Sequence, residues 1–291
     1  MNFKRSGRPT SIHMKKLLAA FSMAALCVSA FAAGADELFP NNKFRAYQTY
    51  EALGPAATIG GRAIYKGGRN WQIADLADFV NNMNVMIGRV ILVSPHNGEY
   101  FLEMAITSSM SSGSEDGYFS ANVCNPAIPH ALRVNKVSGH NDNCLIVSHQ
   151  TRSIYNQPVP GLQVIVRNSK SNWRLYEVRL FINLALVGFP NSTPEEWNSG
   201  GVEKDPARRQ FVDNMEKWAR ALQSGVDSAI DYSKPAQAFG AVPDIETVFK
   251  PLTAPVGVAA VRYGKTPNTS IDYVYCPALE RMIDSAQETC R

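Results

Sequence analysis

The chain has 291 residues, 45% of them hydrophobic and 19% charged, with a formal net charge of +4. That length holds one large domain or two small ones, and that apolar share supports a packed core, which excludes a disordered or collagen-like chain. The positive charge does not point to nucleic acid: Lys4, Arg5, Arg8, Lys15 and Lys16 lie together near the start with no acidic residue among them, and without that segment the balance is −1. No net field then remains to attract phosphates, and no block of like charge follows downstream.

Residues 1–32 read as a secretory signal peptide. Lys15 and Lys16 precede an uncharged apolar run from Leu17 to Phe31, and Ala30-Phe31-Ala32 is a small-x-small cleavage pattern. The run is short for a membrane span, and no later stretch has the length of one. Met14-Lys15-Lys16 begins a compact bacterial-style leader by itself, so residues 1–13 read as an optional extension. Cys27 sits inside the apolar run, preceded by Leu26 rather than by the small residue that a lipoprotein signal wants. The expected location is the periplasm or the exterior.

Removing the leader leaves about 259 residues and four cysteines, Cys124, Cys144, Cys276 and Cys290. An even number in an exported chain implies disulfides, with three possible connectivities. Pairing Cys124 with Cys144 and Cys276 with Cys290 closes the shortest loops, each worth about 3 kcal/mol in a chain-entropy account, and is the favoured arrangement. No CxxC or zinc-finger spacing occurs.

Along the mature chain, glycine pairs at 60–61 and 67–68 mark turns around a short strand, Arg62 to Tyr65. Ile73 to Met83 reads as a helix with Ile73, Leu76, Ala77, Val80 and Met83 on one face. Val85 to Val93, in which only Arg89 is charged, turns at Pro95 to Gly98 into Glu99 to Ile106, a β-hairpin. A serine-rich loop, Thr107 to Gly117, follows. Tyr118 to Cys124 and Cys144 to His149 read as strands flanking a loop at 125–143. Leu162 to Val166 alternates, Asn168 to Asn172 reads as a turn-rich spacer, and Trp173 to Phe189 reads as one long strand.

The chain then changes character. Thr193-Pro194-Glu195-Glu196 combines a capping box with an N1 proline, so a short helix starts there and Gly200-Gly201 ends it. Asp205-Pro206 opens a long amphipathic helix to about Tyr232, with Phe211, Met215, Trp218, Leu222, Val226 and Ile230 in one stripe. A Pro- and Gly-rich wrap, a short strand from Ile271 to Tyr275 and a last helix from Pro277 to Thr289 complete the chain. Segregated strand and helix signals imply an α+β fold: a mainly antiparallel sheet of hairpin-connected strands against the long helix, with two disulfides. The expected division is 33–234 for the main domain and 235–291 for the wrap and the disulfide-closed end.

Common catalytic signatures are missing: no GxSxG, SxxK, HExxH, P-loop or strand-linked GxGxxG is present, and no cofactor is implied. Three histidines, His130, His140 and His149, crowd one stretch with Asp142 beside His140. Histidine titrates near neutrality and ligates metals, and a carboxylate orients its ring, so these four are the candidates for acid–base catalysis and the histidines for a metal site. Turn chemistry at Gly139 to Asn143 and burial at a strand end explain the same residues without function. The acidic pairs Glu115-Asp116 and Glu195-Glu196 read as a loop tip and a helix cap. Trp71, Trp173, Trp197 and Trp218, with Tyr47, Tyr50 and Tyr65, are candidates for a groove, against burial.

Three readings follow. The first is an exported, non-catalytic protein that binds a protein or envelope partner or assists envelope assembly. The second is an extracytoplasmic hydrolase using His130, His140, Asp142 and His149. The third is a periplasmic metal- or small-ligand-binding protein; two-lobed solute receptors are built from alternating β and α units that this chain does not show. The first is favoured.

Overall fold

The computed structural model describes residues 36–81, 84–96, 99–111, 121–124, 129–138, 141–154, 157–170, 174–230, 238–251, 273–276 and 281–284. The leader, Glu115-Asp116, His140, Trp173 and Cys290 lie outside the described residues. The strands are β1 (Asp36–Glu37), β2 (Glu51–Ala52), β3 (Ala57–Ile59), β4 (Arg62–Ala63), β5 (Gln72–Val80), β6 (Met86–His96), β7 (Glu99–Ser109), β8 (Leu132–Ser138), β9 (Asn141–Ile154), β10 (Gln157–Lys170), β11 (Arg174–Asn183), β12 (Tyr273–Cys276) and β13 (Arg281–Asp284). The α-helices are α1 (Ser199–Val202) and α2 (Pro206–Ala229). The architecture is α+β and mostly antiparallel. No described helix is long and apolar enough to cross a membrane.

Eight strands form one sheet in the order β2-β5-β6-β7-β11-β10-β9-β8. Every neighbouring pair in it is antiparallel. Two meanders therefore meet in the middle. The first walks in from the β2 edge to β7, and the second starts at the opposite edge with β8 and returns to place β11 beside β7. Pro158 and Pro160 belong to the part of β10 beyond Gly161, where β11 has ended and only β9 is paired; an unpaired side tolerates their missing N–H. Gly161 itself faces Phe181: a Cβ there would lie 2.1 Å from the ring, so any side chain would displace it. A smaller sheet, β1-β3-β4, lies outside this order.

The inner face of the large sheet carries the core. Leu92, Met104, Val147, Val164 and Leu180 pack with Phe211, Met215, Trp218, Leu222 and Val226 of α2. Asp205 caps α2 by accepting hydrogen bonds from the Ala207 and Arg208 amides at 2.8 and 3.2 Å, with Pro206 at the first helical position. Val242, Ile245 and Phe249 join the same core. The Pro243 carbonyl accepts from both the Tyr65 hydroxyl (2.9 Å) and the Trp218 indole (3.2 Å), which fastens residues 238–251 over the helix.

Local readings are corrected at several places. Strand β5 (Gln72–Val80) stands where a helix from Ile73 was expected. A bulge between Ile73 and Asp75 shifts the phase by one residue, so Ile73 and Leu76 both reach the core, while Val80 is 52% exposed. The bulge thus mimics the i, i+3 spacing of a helix face. Ala121–Cys124 is a 3-10 turn rather than the end of a strand. The expected loop at 125–143 contains β8, paired with β9 from Leu132↔Val147 to Ser138↔Asn141. β10 continues through Asn168 to Lys170, where a turn was expected. β11 stops at Asn183, whose side-chain oxygen accepts from the Ala185 amide at 3.1 Å and starts a 3-10 turn over Leu184–Val187.

Gly200 and Gly201 lie within α1 rather than ending a helix. Asn198 Oδ1 accepts from the Gly201 amide at 2.7 Å, and a Cβ on Gly201 would meet the Glu195 carbonyl oxygen at 2.2 Å. The capping box at Thr193 serves the preceding 3-10 turn, Pro194–Trp197. Arg281–Asp284 is a strand paired with Tyr273–Cys276, not part of a helix from Pro277; the strand pairing overrides the helical propensity of Ala-Leu-Glu-Arg-Met.

Cys124 and Cys144 are bonded to each other, both fully buried, and join the 3-10 turn to β9. The Cys276–Cys290 pairing falls outside the described residues. Replacing Cys124 and Cys144 together by alanine opens a bond spanning 20 residues. The expected cost is about 3 kcal/mol, read as a lower urea midpoint with an unchanged slope.

Candidate functional site

Alternation along each strand sends successive side chains to opposite faces, so the residues between the core positions project from the outer face of the large sheet. The register sets them in transverse rows. One row runs Arg89, Thr107, Glu177, Arg167 and Cys144; the next runs Ile91, Ala105, Arg179, Ile165 and Ile146. A third brings Val93, Glu103, Phe181, Gln163 and Ser148 together. Arginines from β6, β10 and β11 thus meet on one surface, and Arg152 of β9 joins them through its ion pair with Glu103.

Glu177 is the centre of this charge arrangement. Its carboxylate receives Arg167 at 3.1 Å and Arg179 at 2.5 Å, with 5% of its side chain exposed. Burial alone would raise its pKa, but Arg179 and Arg167 outweigh that and hold it at about 2. Glu103 forms an ion pair with Arg152 and accepts the Tyr100 hydroxyl at 2.6 Å. The Arg152 guanidinium lies 4.7 Å from the Phe181 ring centroid. Asp75 accepts the Tyr47 hydroxyl at 2.9 Å, and burial together with Asp75 pushes the Tyr47 pKa up to about 12.

Arg89 is different. Among the described residues no carboxylate lies within ion-pair distance of it, and its buried Nε has no hydrogen-bond partner. Burial pushes its pKa down and the Arg179 and Arg152 cations add to that, with Glu177 and Asp75 opposing. Arg152 is also pushed down, by burial and by Arg179. Both remain charged at neutral pH, given arginine's high intrinsic pKa. The side chains of Arg152 and Arg179 are 25% and 29% exposed, so the cluster is half-buried yet reachable. Ala105 and Thr107 lie between Arg89 and Arg179 in the register, and Ala105 is buried at 3% exposed. Such a set can donate bidentate, charge-assisted hydrogen bonds to an oxyanion in a medium less screening than water. On the same face the buried Ser148 Oγ and Gln163 Oε1, directly opposite each other, have no hydrogen-bond partner.

A depression of about 360 Å³ elsewhere on the surface is lined by Arg69, Asn70, Gln72, Ser94 and Glu246. Its arginine is occupied: Nε donates to Ser94 Oγ at 2.8 Å, the guanidinium pairs with Glu246, and Phe101 lies 5.2 Å beneath it. This makes it a structural tie between the sheet and residues 238–251.

The structure brings only part of the histidine constellation together. His149 is on the inner face of β9, 7% exposed; burial pushes its pKa down, against the Ser192 backbone and the Glu195 and Glu196 carboxylates. His130 lies just before β8, whose pairing with β9 ends at Leu132↔Val147, and its carbonyl accepts from the Ser199 amide at 3.1 Å. Asp142 sits at the other end of β9, seven residues from His149, roughly 23 Å away at strand rise, and on the opposite face. His140 lies outside the described residues. No group of three or more metal-ligating side chains occurs among the described residues. Trp71, Trp197 and Trp218 are core residues, each at most 2% exposed; Trp197 stacks edge-on with Phe189 and Phe211 at 5.1 and 5.8 Å.

Sequence reasoning by itself passes over the arginine face, because its members are scattered from 89 to 179. A signal does exist: a lone charge inside an apolar strand, as at Arg89, and the alternation of Glu177 and Arg179 with apolar neighbours. Comparison with protein families, with curated proteins and with solved structures finds no match.

Proposed function

We propose that this chain is an exported, non-catalytic binding protein that meets a partner through the outer face of its sheet. The arginine cluster around Arg89 carries the reading: among the described residues no carboxylate contacts this half-buried cation, and a negative group on a partner would offset the cost of its burial. The leader pattern at Lys15 to Ala32 and the Cys124–Cys144 bond support export into an oxidising compartment. The same reading pairs Cys276 with Cys290, so the exported protein should contain no free thiol.

The test places a photo-reactive residue at Thr107, in the arginine face, and separately at the exposed Ser224 on α2, in protein exported with its own leader. The expected result is an N-terminus near Ala33 and a covalent adduct, seen by intact mass, from position 107 and not from 224. Equal yields at both positions, or none at either, would overturn the binding-face reading. Replacing His130, His140 and His149 together by alanine should leave the adduct and the fold unchanged. Metal analysis of the tag-free protein is expected to find no stoichiometric zinc or copper; one equivalent, lost in His140→Ala, would replace this reading with a metal-site one.

A further inference from the structure

We propose that His149 is an acid-sensitive latch: when its buried ring takes up a proton, residues 189–204 loosen from the end of β9. The latch stands apart from the outer face, on the other side of the sheet. His149 projects from the inner face of β9, opposite Leu162 of β10, and is 7% exposed. Both ring nitrogens are buried and neither has a hydrogen-bond partner. The 3-10 turn Pro194–Trp197 packs against this part of β9, with its Glu195 and Glu196 acting on the ring. A neutral imidazole tolerates that setting. An imidazolium, with two N–H donors and a charge to hydrate, does not.

The charges that face the ring come from one side. Glu195, Glu196 and the Ser192 backbone favour the protonated form, and burial outweighs all three. Glu196 is already engaged, by the Thr193 amide at 2.9 Å and by Arg208 of α2 at 2.8 Å, and Arg208 also pairs with Asp205. Glu195 is exposed. β10 sets the uncharged Leu162 opposite the ring, and Arg133 of β8 pairs with Ile146, on the other face from His149. His130, just before β8, offers its carbonyl to the Ser199 amide. A proton on His149 thus drives the ring towards water and Glu195, and the turn that covers it has to move. Residues 189–204 are built of short turns and the four-residue α1, so opening them costs less than unfolding the sheet. The sign is fixed: the His149 pKa is held below its ordinary 6.5 in the folded chain, so the latch is closed above about pH 6.5 and weakens as the pH falls below it.

The experiment measures amide hydrogen exchange by mass spectrometry on the full exported protein at about pH 7.5 and about pH 5.5, with rates corrected for the pH dependence of the exchange chemistry itself. The His149 ring is titrated in parallel by NMR. Three proteins are compared: wild type, His149→Phe, which keeps a ring of similar size without a titrating group, and His130→Gln as a control on the neighbouring histidine. Expected in wild type is a loss of protection over 189–204 of up to about ten-fold, the limit that one proton sets one pH unit below 6.5. The amides of β6 and β7 should keep their protection. His149→Phe should show the same protection over 189–204 at both pH values, and His130→Gln should behave as wild type.

Equal protection at both pH values in wild type, the same loss in His149→Phe, or a ring that titrates at or above 6.5 would overturn the latch. Loss that disappears in His130→Gln would assign the proton to the other histidine and overturn it as well. So would loss spread evenly over β6 and β7, because the proton would then act on the whole fold rather than on one segment. Should His149→Phe fail to fold, the wild-type ring titration and exchange pattern decide: a ring pKa below 6.5 with loss confined to 189–204 supports the latch, and any other combination overturns it.

Discussion

Replacing Glu177 by glutamine is expected to cost about 3–5 kcal/mol of stability at neutral pH, because it leaves the Arg167 and Arg179 charges facing each other without their carboxylate in a buried setting. A lower urea midpoint with an unchanged slope is the readout. The pH dependence has a definite sign. The Glu177 pKa is about 2 in the folded chain, against an ordinary value of 4.5. The group therefore binds a proton less readily when folded, and its contribution is fully present above about pH 4.5 and fades as the pH falls towards 2. The gap between wild type and Glu177→Gln should narrow across that window. A gap constant from pH 7 to pH 3 would mean that the carboxylate does not stabilise the fold through its charge. Replacing Arg167, Glu177 and Arg179 together by apolar residues of similar volume should recover much of the loss, since the desolvation of all three is then avoided.

The second large effect is at Trp218. The indole is 2% exposed, donates to both the Tyr65 hydroxyl and the Pro243 carbonyl at 3.2 Å, and meets the Tyr65 ring edge-on at 5.8 Å. Trp218→Ala is expected to cost about 3–5 kcal/mol, the usual range when a large aromatic leaves a cavity. Trp218→Phe keeps most of the volume and should lose much less, with the hydrogen bonds contributing about 1 kcal/mol. Denaturant melts of the two variants separate the packing contribution from the polar one. If Trp218→Phe were as damaging as Trp218→Ala, the tie to Pro243 rather than the filled volume would be holding residues 238–251 in place. Tyr65, whose pKa burial pushes up to about 12, would then be the group to examine next, since its hydroxyl donates to that same carbonyl.

Local signals carried the elements whose determinants lie within a few residues. The hairpin of β6 and β7 follows from the β-branched run Val85 to Val93, the turn signal at Pro95 to Gly98 and the apolar-rich run Glu99 to Ile106. The start of α2 follows from Asp205 and Pro206, which supply an acceptor for free amides and a residue that needs none. The Thr193 capping box belongs to the same class: Glu196 Oε2 accepts from the Thr193 amide at 2.9 Å. Elements whose reason lies elsewhere in the chain were not legible. The bulge after Ile73 is stabilised by pairing with β6 and gave its strand a helical period. β8 forms because β9 offers it an edge, and the strand from Arg281 to Asp284 forms because Tyr273–Cys276 lies beside it.

The same division applies to function. Charge counting along the chain found no basic block, and that remains correct as a statement about neighbours in sequence. Pairing β11 with β7 and β10, and β7 with β6, collects arginines up to 90 residues apart onto one face. By itself the sequence determined a composition able to fill a core and the local starts of helices and hairpins, because composition and short-range hydrogen bonding decide these. Only the tertiary structure decided which strands are neighbours and which face each arginine occupies. A strand's face is set by register, and a bulge such as the one at Ile73 reverses it, so a cluster built across four strands has no counterpart in any single stretch of the chain.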